Sequence, residues 1–130
     1  LLGIELPIIQ NLGNNIYLKG YIDFVLYDTI NNKVYIYDIK TSTRGWSDKE
    51  KKDDKKIAQI LLYKEYFSKQ YGFPIDNIDV EYFIVKRKIW EESEFPQKRV
   101  QEFIPANGKT KMNKAKNALT AFIENVFDLD

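Results

Sequence analysis

Asp23, Asp38, Lys40, Gln59 and Tyr63 are the residues whose types and spacing could do chemistry. Asp38 and Lys40 lie two apart in a run of β-branched and aromatic residues, and Asp23 sits in an earlier run of the same kind. Gln59 and Tyr63 are four apart in a stretch with helical spacing. Two carboxylates on neighbouring strands can hold a hard divalent cation, and a lysine beside them can orient or activate water. That combination points to metal-assisted cleavage of a phosphodiester.

Composition narrows the chemistry. Cysteine is absent, which excludes disulfides, thiolate zinc sites, iron–sulfur clusters and cysteine nucleophiles. Histidine is absent too, so the commonest general base and a Ser-His-Asp triad are ruled out within this chain. A metal must therefore be held by oxygen, which favours Mg²⁺ or Mn²⁺, as one or two ions. At 130 residues and 15.4 kDa the length is that of one domain, and 44% hydrophobic residues suffice for a real core. The chain opens on Leu1 rather than Met, so a single domain over residues 1–130 is expected, as a fragment of a longer protein or a renumbered piece. No apolar run approaches the ~18 residues of a membrane span, and no secretory leader is visible, so an intracellular protein without a membrane partner is expected.

The net charge is only +1, but the basic residues are clustered. Lys98, Arg99, Lys109, Lys111, Lys114 and Lys116 face a single acid, Glu102, in that stretch. Arg44, Lys49, Lys51, Lys52, Lys55 and Lys56 alternate with Asp48, Glu50, Asp53 and Asp54. Either cluster alone reads most simply as a solvated surface.

The elements that must position the chemistry follow from hydrophobic periodicity. Residues 2–9 read as a strand, with Pro7 suggesting an edge or a bulge, and residues 11–15 read as a turn. Residues 16–27 and 33–40 read as a hairpin bent at Asn31-Asn32. Period-two alternation puts Asp38 and Lys40 on one face of the second strand. In Val34-Tyr35-Ile36-Tyr37 both faces are apolar enough to be buried. Residues 41–46 read as a loop. Ser47 and Glu50 form a candidate capping box for a helix that runs to about Tyr71, ended by Gly72 and Pro74. Strands over residues 80–86 and 100–104 precede a second amphipathic helix over residues 112–127. The order β-β-β-α-β-β-α implies a mixed sheet with helices packed on it.

The Asp-x-Lys triplet carries little by itself, since the chain holds three, starting at Asp38, Asp53 and Asp54. The first differs because it ends an apolar strand, where an unpaired charge is costly. An ordinary Asp38–Lys40 ion pair is the plain alternative. Asp23 is a lone charge within Gly20-Tyr21-Ile22-Asp23-Phe24-Val25, and its plain alternative is a backbone hydrogen bond at a strand end. The hairpin bend places Asp23 opposite residue 40 or so, beside Asp38 and Lys40. Facing antiparallel residues have Cβ atoms ~4.5–5.5 Å apart, close enough to share a cation and a water. Gln59 and Tyr63 project from one helical face and, without that strand before them, would read as ordinary surface or boundary residues.

Taken in order, Gly20-Tyr21-Ile22-Asp23, Asp38-Ile39-Lys40-Thr41-Ser42 and Gln59-Ile60-Leu61-Leu62-Tyr63 resemble the PD-(D/E)XK nuclease superfamily, and within it the RecB-like exonuclease clade. The resemblance covers roughly Ile4 to Lys88 and implies an α/β fold, a restriction-endonuclease-like core with a central mixed β-sheet flanked by helices. It implies that Asp23 and Asp38, with the main-chain carbonyl of Ile39, are metal ligands, and that Lys40 positions or activates the attacking water. Gln59 would hold that water or a phosphate oxygen, and Tyr63 would fix the arrangement or touch the DNA backbone. Thr41 and Ser42 would face a phosphate, with Arg44 beside them.

The resemblance departs in two places. Ile22 stands where the superfamily's name has proline. The clade's acid or histidine on a preceding helix has no counterpart, which leaves Glu5, in the first strand, as a candidate third metal ligand. The implied activity is Mg²⁺- or Mn²⁺-dependent hydrolysis of DNA, more readily by an exonuclease than by an endonuclease or junction-cleaving enzyme on the same core, in repair or recombination. A nucleic-acid-binding module with a remnant site is the alternative from another class. The implied partners are DNA and further domains or subunits of a DNA-processing complex, in a cytoplasm that is the cell's own or a phage host's. Trp46 and Trp90 are candidate base-stacking residues, more ordinarily packing ones, and Lys86, Arg87, Lys88 with the basic stretch Lys98 to Lys116 could flank a DNA groove.

Overall fold

A computed structural model describes residues 3–13, 15–88 and 99–127. Trp90 and Lys98 lie outside the described residues.

Three strands come first: β1 (Gly3–Gly13), β2 (Ile16–Asp28) and β3 (Lys33–Ser42). A single helical turn, α1 (Asp48–Lys51), leads into the long α2 (Asp54–Tyr71). A 3₁₀ turn (Ile75–Asn77), β4 (Ile78–Lys86), β5 (Val100–Phe103) and α3 (Lys109–Phe127) complete the order. The strands form one sheet in the order β1-β2-β3-β4-β5, antiparallel except for the parallel pair β3–β4. That pair needs a crossover, which α2 supplies. The fold is the mixed α/β sheet expected of a restriction-endonuclease-like core.

Alternation decides what each strand buries. Val34, Ile36 and Asp38 of β3 point to the helical face, as do Ile78, Val80, Tyr82 and Ile84 of β4. They meet Ile57, Ile60, Leu61 and Phe67 of α2, and each such aliphatic or aromatic side chain contributes about 1.5–3 kcal/mol by leaving water. The other face differs from expectation. Tyr35 and Tyr37 are half-buried, with Tyr37 stacked on Phe83 at 5.0 Å between ring centroids, so β3 is fully buried on one side only. The reason is that both long helices sit on the opposite side, α2 on the sheet and α3 against α2.

Local sequence explains the element ends. Asn15 and Asn32 adopt left-handed φ values of 61° and 52° in the two hairpin turns, a conformation asparagine tolerates. β1 runs on to Gly13, further than the expected turn at residues 11–15 allows, because Asn11 still pairs with Tyr17. On the outer edge of β1, the α2 residue Gln70 accepts the Ile9 N–H at 3.0 Å and donates to the Pro7 carbonyl at 3.2 Å. The helix thus closes an edge that would otherwise be open to pairing. The expected continuous helix from Ser47 is broken at Lys52-Asp53. Ser47 and Glu50 do form a capping box, but Asp53 caps a new helix by accepting the Lys55 N–H at 3.0 Å. Four consecutive charged residues, Lys51 to Asp54, offer nothing to bury across the break.

Gly72 ends α2 at φ 79°, where its N–H donates to the Ser68 carbonyl at 3.0 Å. A Cβ at this position would meet no neighbour within 4 Å, so the backbone conformation alone penalises a side chain. Gly72→Ala is expected to cost about 1–2 kcal/mol in urea unfolding, without changing activity.

Candidate active site

The site lies where β2 and β3 part. Their ladder pairs Asp28 with Lys33 through to Phe24 with Tyr37 and then stops, while β3 continues to Ser42 on the arm of β4. β2 goes the other way, with β1. This register puts Asp23 opposite Asp38, two residues from the expected partner, because the hairpin loop is Thr29 to Asn32, centred earlier than Asn31-Asn32. Thr41 and Ser42 are accordingly strand residues and not loop.

β2 changes its alternation at this point. Leu18, Gly20 and Ile22 face the helices, and beyond them so do Val25 and Tyr27. Asp23 and Phe24 take up the slip. The ladder to β1 is regular on either side, yet the Glu5–Asp23 pair is missing from it, and Glu5 stands at φ 51°. Irregularities of this kind re-aim side chains. Here the Asp23 carboxylate turns into the fork and accepts the Ile39 N–H through Oδ2 at 2.8 Å. A side chain thereby ends the ladder in place of a backbone carbonyl.

Asp38 lies beside it, on the helical face and only 4% exposed. Burial, and then the neighbouring Asp23 carboxylate, push the Asp38 carboxyl up to about 6, against the opposing pull of Lys40. Lys40 Nζ lies 3.1 Å from Asp38 Oδ2, but off the direction a hydrogen bond needs. That buried oxygen therefore has a nearby charge and no directed partner. Leaving such a group unsatisfied costs roughly 1–3 kcal/mol.

Lys40 donates to Gln59 Oε1 at 2.8 Å, and Gln59 Nε2 donates to the Tyr63 hydroxyl at 3.1 Å. The two α2 residues therefore share the site with the β3 pair, as their i, i+4 spacing suggested. Gln59 is exposed and Tyr63 is buried.

The remaining candidates separate. Thr41 and Arg44 are exposed near the end of β3. Ser42 donates its hydroxyl proton to the Gly45 carbonyl at 3.0 Å, which folds the loop after β3. Glu5 is exposed opposite Asp23, and among the described residues no three acidic groups converge as a metal-holding set. Trp46 does not stack outward. It is 8% exposed and packs on Tyr82 and Phe103, because the Gln101 amide grips it, accepting its N–H at 2.7 Å and donating to its carbonyl at 3.2 Å. Lys56 and Lys51 lie over the Trp46 and Phe103 rings. Lys111 and Lys114 pair with Asp54 and Lys116 with Glu65, so these lysines tie α3 to α2 instead of lining the fork.

The donors fit a hard cation. They are all oxygen, two carboxylates are held side by side, and one buried oxygen lacks a directed partner. The Ile39 N–H points into the fork, and in a strand the carbonyl of the same residue leaves on the same edge. Gln101 and Gly20 are two residues that motif reasoning left without a role. A polar side chain alternating with Val100 and Glu102 gave no signal for the first, whereas a glycine at an inward strand position was a visible signal for the second.

A mixed sheet whose central strand carries an acid and a lysine just past the point where its neighbour leaves it, with a second acid across the fork and a Gln-Tyr helix above, is a nuclease-type arrangement. The family model described as the PD-(D/E)XK nuclease superfamily matches residues 1–128, and the chain belongs to that superfamily. Its members are generally nucleases and typically use divalent metal ions. Among solved structures, the crystal structure of SSO0001 is similar at 16% identity with a TM-score of 0.50, covering 93% of this chain and 50% of that one. At that identity the likeness concerns the fold, and this chain spans about half the length of the other. No curated protein matches the sequence. No helix among the described residues is long and apolar enough to cross a membrane.

Proposed function

We propose that this chain is a divalent-metal-dependent deoxyribonuclease of the RecB-like exonuclease clade, acting on DNA ends. The fork carries the reading: Asp23 and Asp38 converge there with a Lys40–Gln59–Tyr63 chain of hydrogen bonds. The order Gly-x-x-Asp, Asp-x-Lys-Thr-Ser and Gln-x-x-x-Tyr supports the clade.

Asp23, Asp38 and the Ile39 carbonyl would hold Mg²⁺ or Mn²⁺, and Glu5, exposed on the neighbouring strand and outside any acidic cluster among the described residues, would take part only through water. When bound, the ion supplies positive charge to the phosphodiester and the leaving oxygen and makes water more acidic. Lys40 does the positioning. Its ammonium has three donors, of which Gln59 takes one, so another remains for a water aligned with the scissile phosphate. Gln59 keeps the lysine from collapsing fully onto Asp38. Thr41 and Arg44, exposed beside the strand end, suit phosphates of the bound strand. Further domains or subunits would supply the rest of the DNA path.

The experiment is cleavage of end-labelled linear DNA and covalently closed circular DNA in Mg²⁺, in Mn²⁺ and in excess chelator. Metal-dependent shortening of linear DNA alone is expected. Cutting of closed circles overturns the exonuclease assignment, and absence of cleavage in either metal overturns the nuclease reading for this chain.

A further inference from the structure

We infer that Gly20 is a positioning residue of this site, which holds Lys40 in place through Tyr63 and Gln59. The role it serves rests on the nuclease reading, but the contacts that carry it do not. Gly20 occupies an inward position of β2 between Leu18 and Ile22, where a side chain would ordinarily pack. Its backbone is not in the left-handed region, so no turn or bulge calls for glycine. The neighbour does. A Cβ at residue 20 would stand 2.8 Å from the Tyr63 hydroxyl oxygen, 2.9 Å from Cε1 and 3.2 Å from Cζ. Tyr63 is 7% exposed and belongs to the core cluster, so its ring has little room to retreat. The phenol lies directly on the β2 backbone, and only glycine leaves space for it.

That seat fixes a polarity. Lys40 is a donor with no acceptor atom, so the Gln59 amide must offer it oxygen. The amide nitrogen then needs an acceptor, and the Tyr63 hydroxyl provides one at 3.1 Å. Gln59 is exposed, so without this anchor water competes for both ends of the amide. Rotated half a turn, the amide would set its NH₂ against the ammonium, donor against donor. Gly20 therefore sets the height of Tyr63, Tyr63 sets the sense of the Gln59 amide, and Gln59 sets where Lys40 Nζ sits relative to Asp38. Having accepted from Gln59, Tyr63 also keeps its own hydroxyl proton for a further acceptor.

The test uses Gly20→Ala, Tyr63→Phe and the double variant, with Gly20→Ala also placed in a Tyr63→Ala background. Three readouts are followed: kcat and KM on linear DNA with Mn²⁺, the chemical shift of the ¹³C-labelled Lys40 ε-carbon in metal-free protein, and the thermal midpoint. Each single variant is expected to lower kcat on the order of 10²-fold with KM little changed, since a small misplacement of a reacting group costs that much. The double variant should be no slower than Tyr63→Phe, and both singles should move the Lys40 signal in the same direction. Gly20→Ala should lower the thermal midpoint of the wild-type protein and raise it in the Tyr63→Ala background, where the methyl fills vacated space. An unshifted Lys40 signal in Gly20→Ala, or losses that multiply in the double variant, would overturn the inference. If the wild-type chain cleaves no DNA, the nuclease reading fails, and the Lys40 signal and the midpoints still decide for or against Gly20.

Discussion

Asp38→Asn is expected to abolish metal-dependent cleavage and to make the metal-free protein more stable at pH 8, by on the order of 2–3 kcal/mol. Both effects come from one carboxyl. Folding buries it beside Asp23 and raises its pKa from 3.8 to about 6. Below about pH 4 the group is protonated in the folded and the unfolded chain alike, and it contributes nothing. Between about 4 and 6 the folded chain retains a proton that the unfolded chain has released, so stability falls as pH rises through this window. Above about 6 the whole penalty is present. Asparagine never ionises, so the gap between variant and wild type should be largest at pH 8 and nearly closed at pH 4. Urea unfolding at the two pH values measures it. A variant no more stable than wild type at pH 8 would show that Lys40 already neutralises Asp38 in full. Added Mg²⁺ or Mn²⁺ should raise the midpoint of the wild-type protein and leave that of Asp38→Asn unmoved, because an ion that binds only the folded state stabilises it in proportion to its affinity.

That trade also explains which parts of the site were legible in the sequence. Asp38 was conspicuous because a charge at the end of Val34-Tyr35-Ile36-Tyr37 breaks an apolar pattern, and patterns broken at a cost mark function more often than patterns kept. Gln59 and Tyr63 were legible because helical periodicity is rigid: i and i+4 share a face wherever the helix sits. The strand geometry was less transparent. Period-two alternation predicted the Asp38–Lys40 face correctly but gave no warning of the slip at Asp23-Phe24, which falls where the β2–β3 ladder stops and the Glu5–Asp23 pair drops out of the β1–β2 ladder. The hairpin register was off by two because Asn31-Asn32 is only the second half of a four-residue loop, and Asp28 closes the first half by accepting the Ile30 and Asn31 N–H groups. Long-range placement was least accessible. Nothing local in Lys111 or Lys114 says that Asp54 waits across an interhelical contact, and nothing in Trp46 says that Gln101, 55 residues on, will hold it inward. The helix break at Lys52-Asp53 sits between these cases, since Asp53 is a good cap in any sequence but a capping box six residues earlier had already claimed the start.

Lys40→Ala should separate binding from catalysis. The ammonium stands 3.1 Å from Asp38 Oδ2, in the space beside the oxygen that lacks a directed partner. Removing it leaves two neighbouring carboxylates without their cation, so the Asp38 carboxyl should titrate higher still and the metal-free protein should lose stability at pH 8, opposite in sign to Asp38→Asn. A divalent ion then becomes the remaining source of positive charge, and its affinity should rise, or at least not fall, because it no longer competes with the lysine. Cleavage should nevertheless drop by roughly 10²–10⁴-fold, the range associated with a positioned group that orients or moves a proton. Calorimetric Mn²⁺ titration alongside rate measurements on linear DNA reads both quantities from one preparation. Weaker Mn²⁺ binding in Lys40→Ala would mean that the lysine organises the two carboxylates for the ion. A cleavage rate close to wild type would mean that the water is aligned by Gln59 and Tyr63 without it.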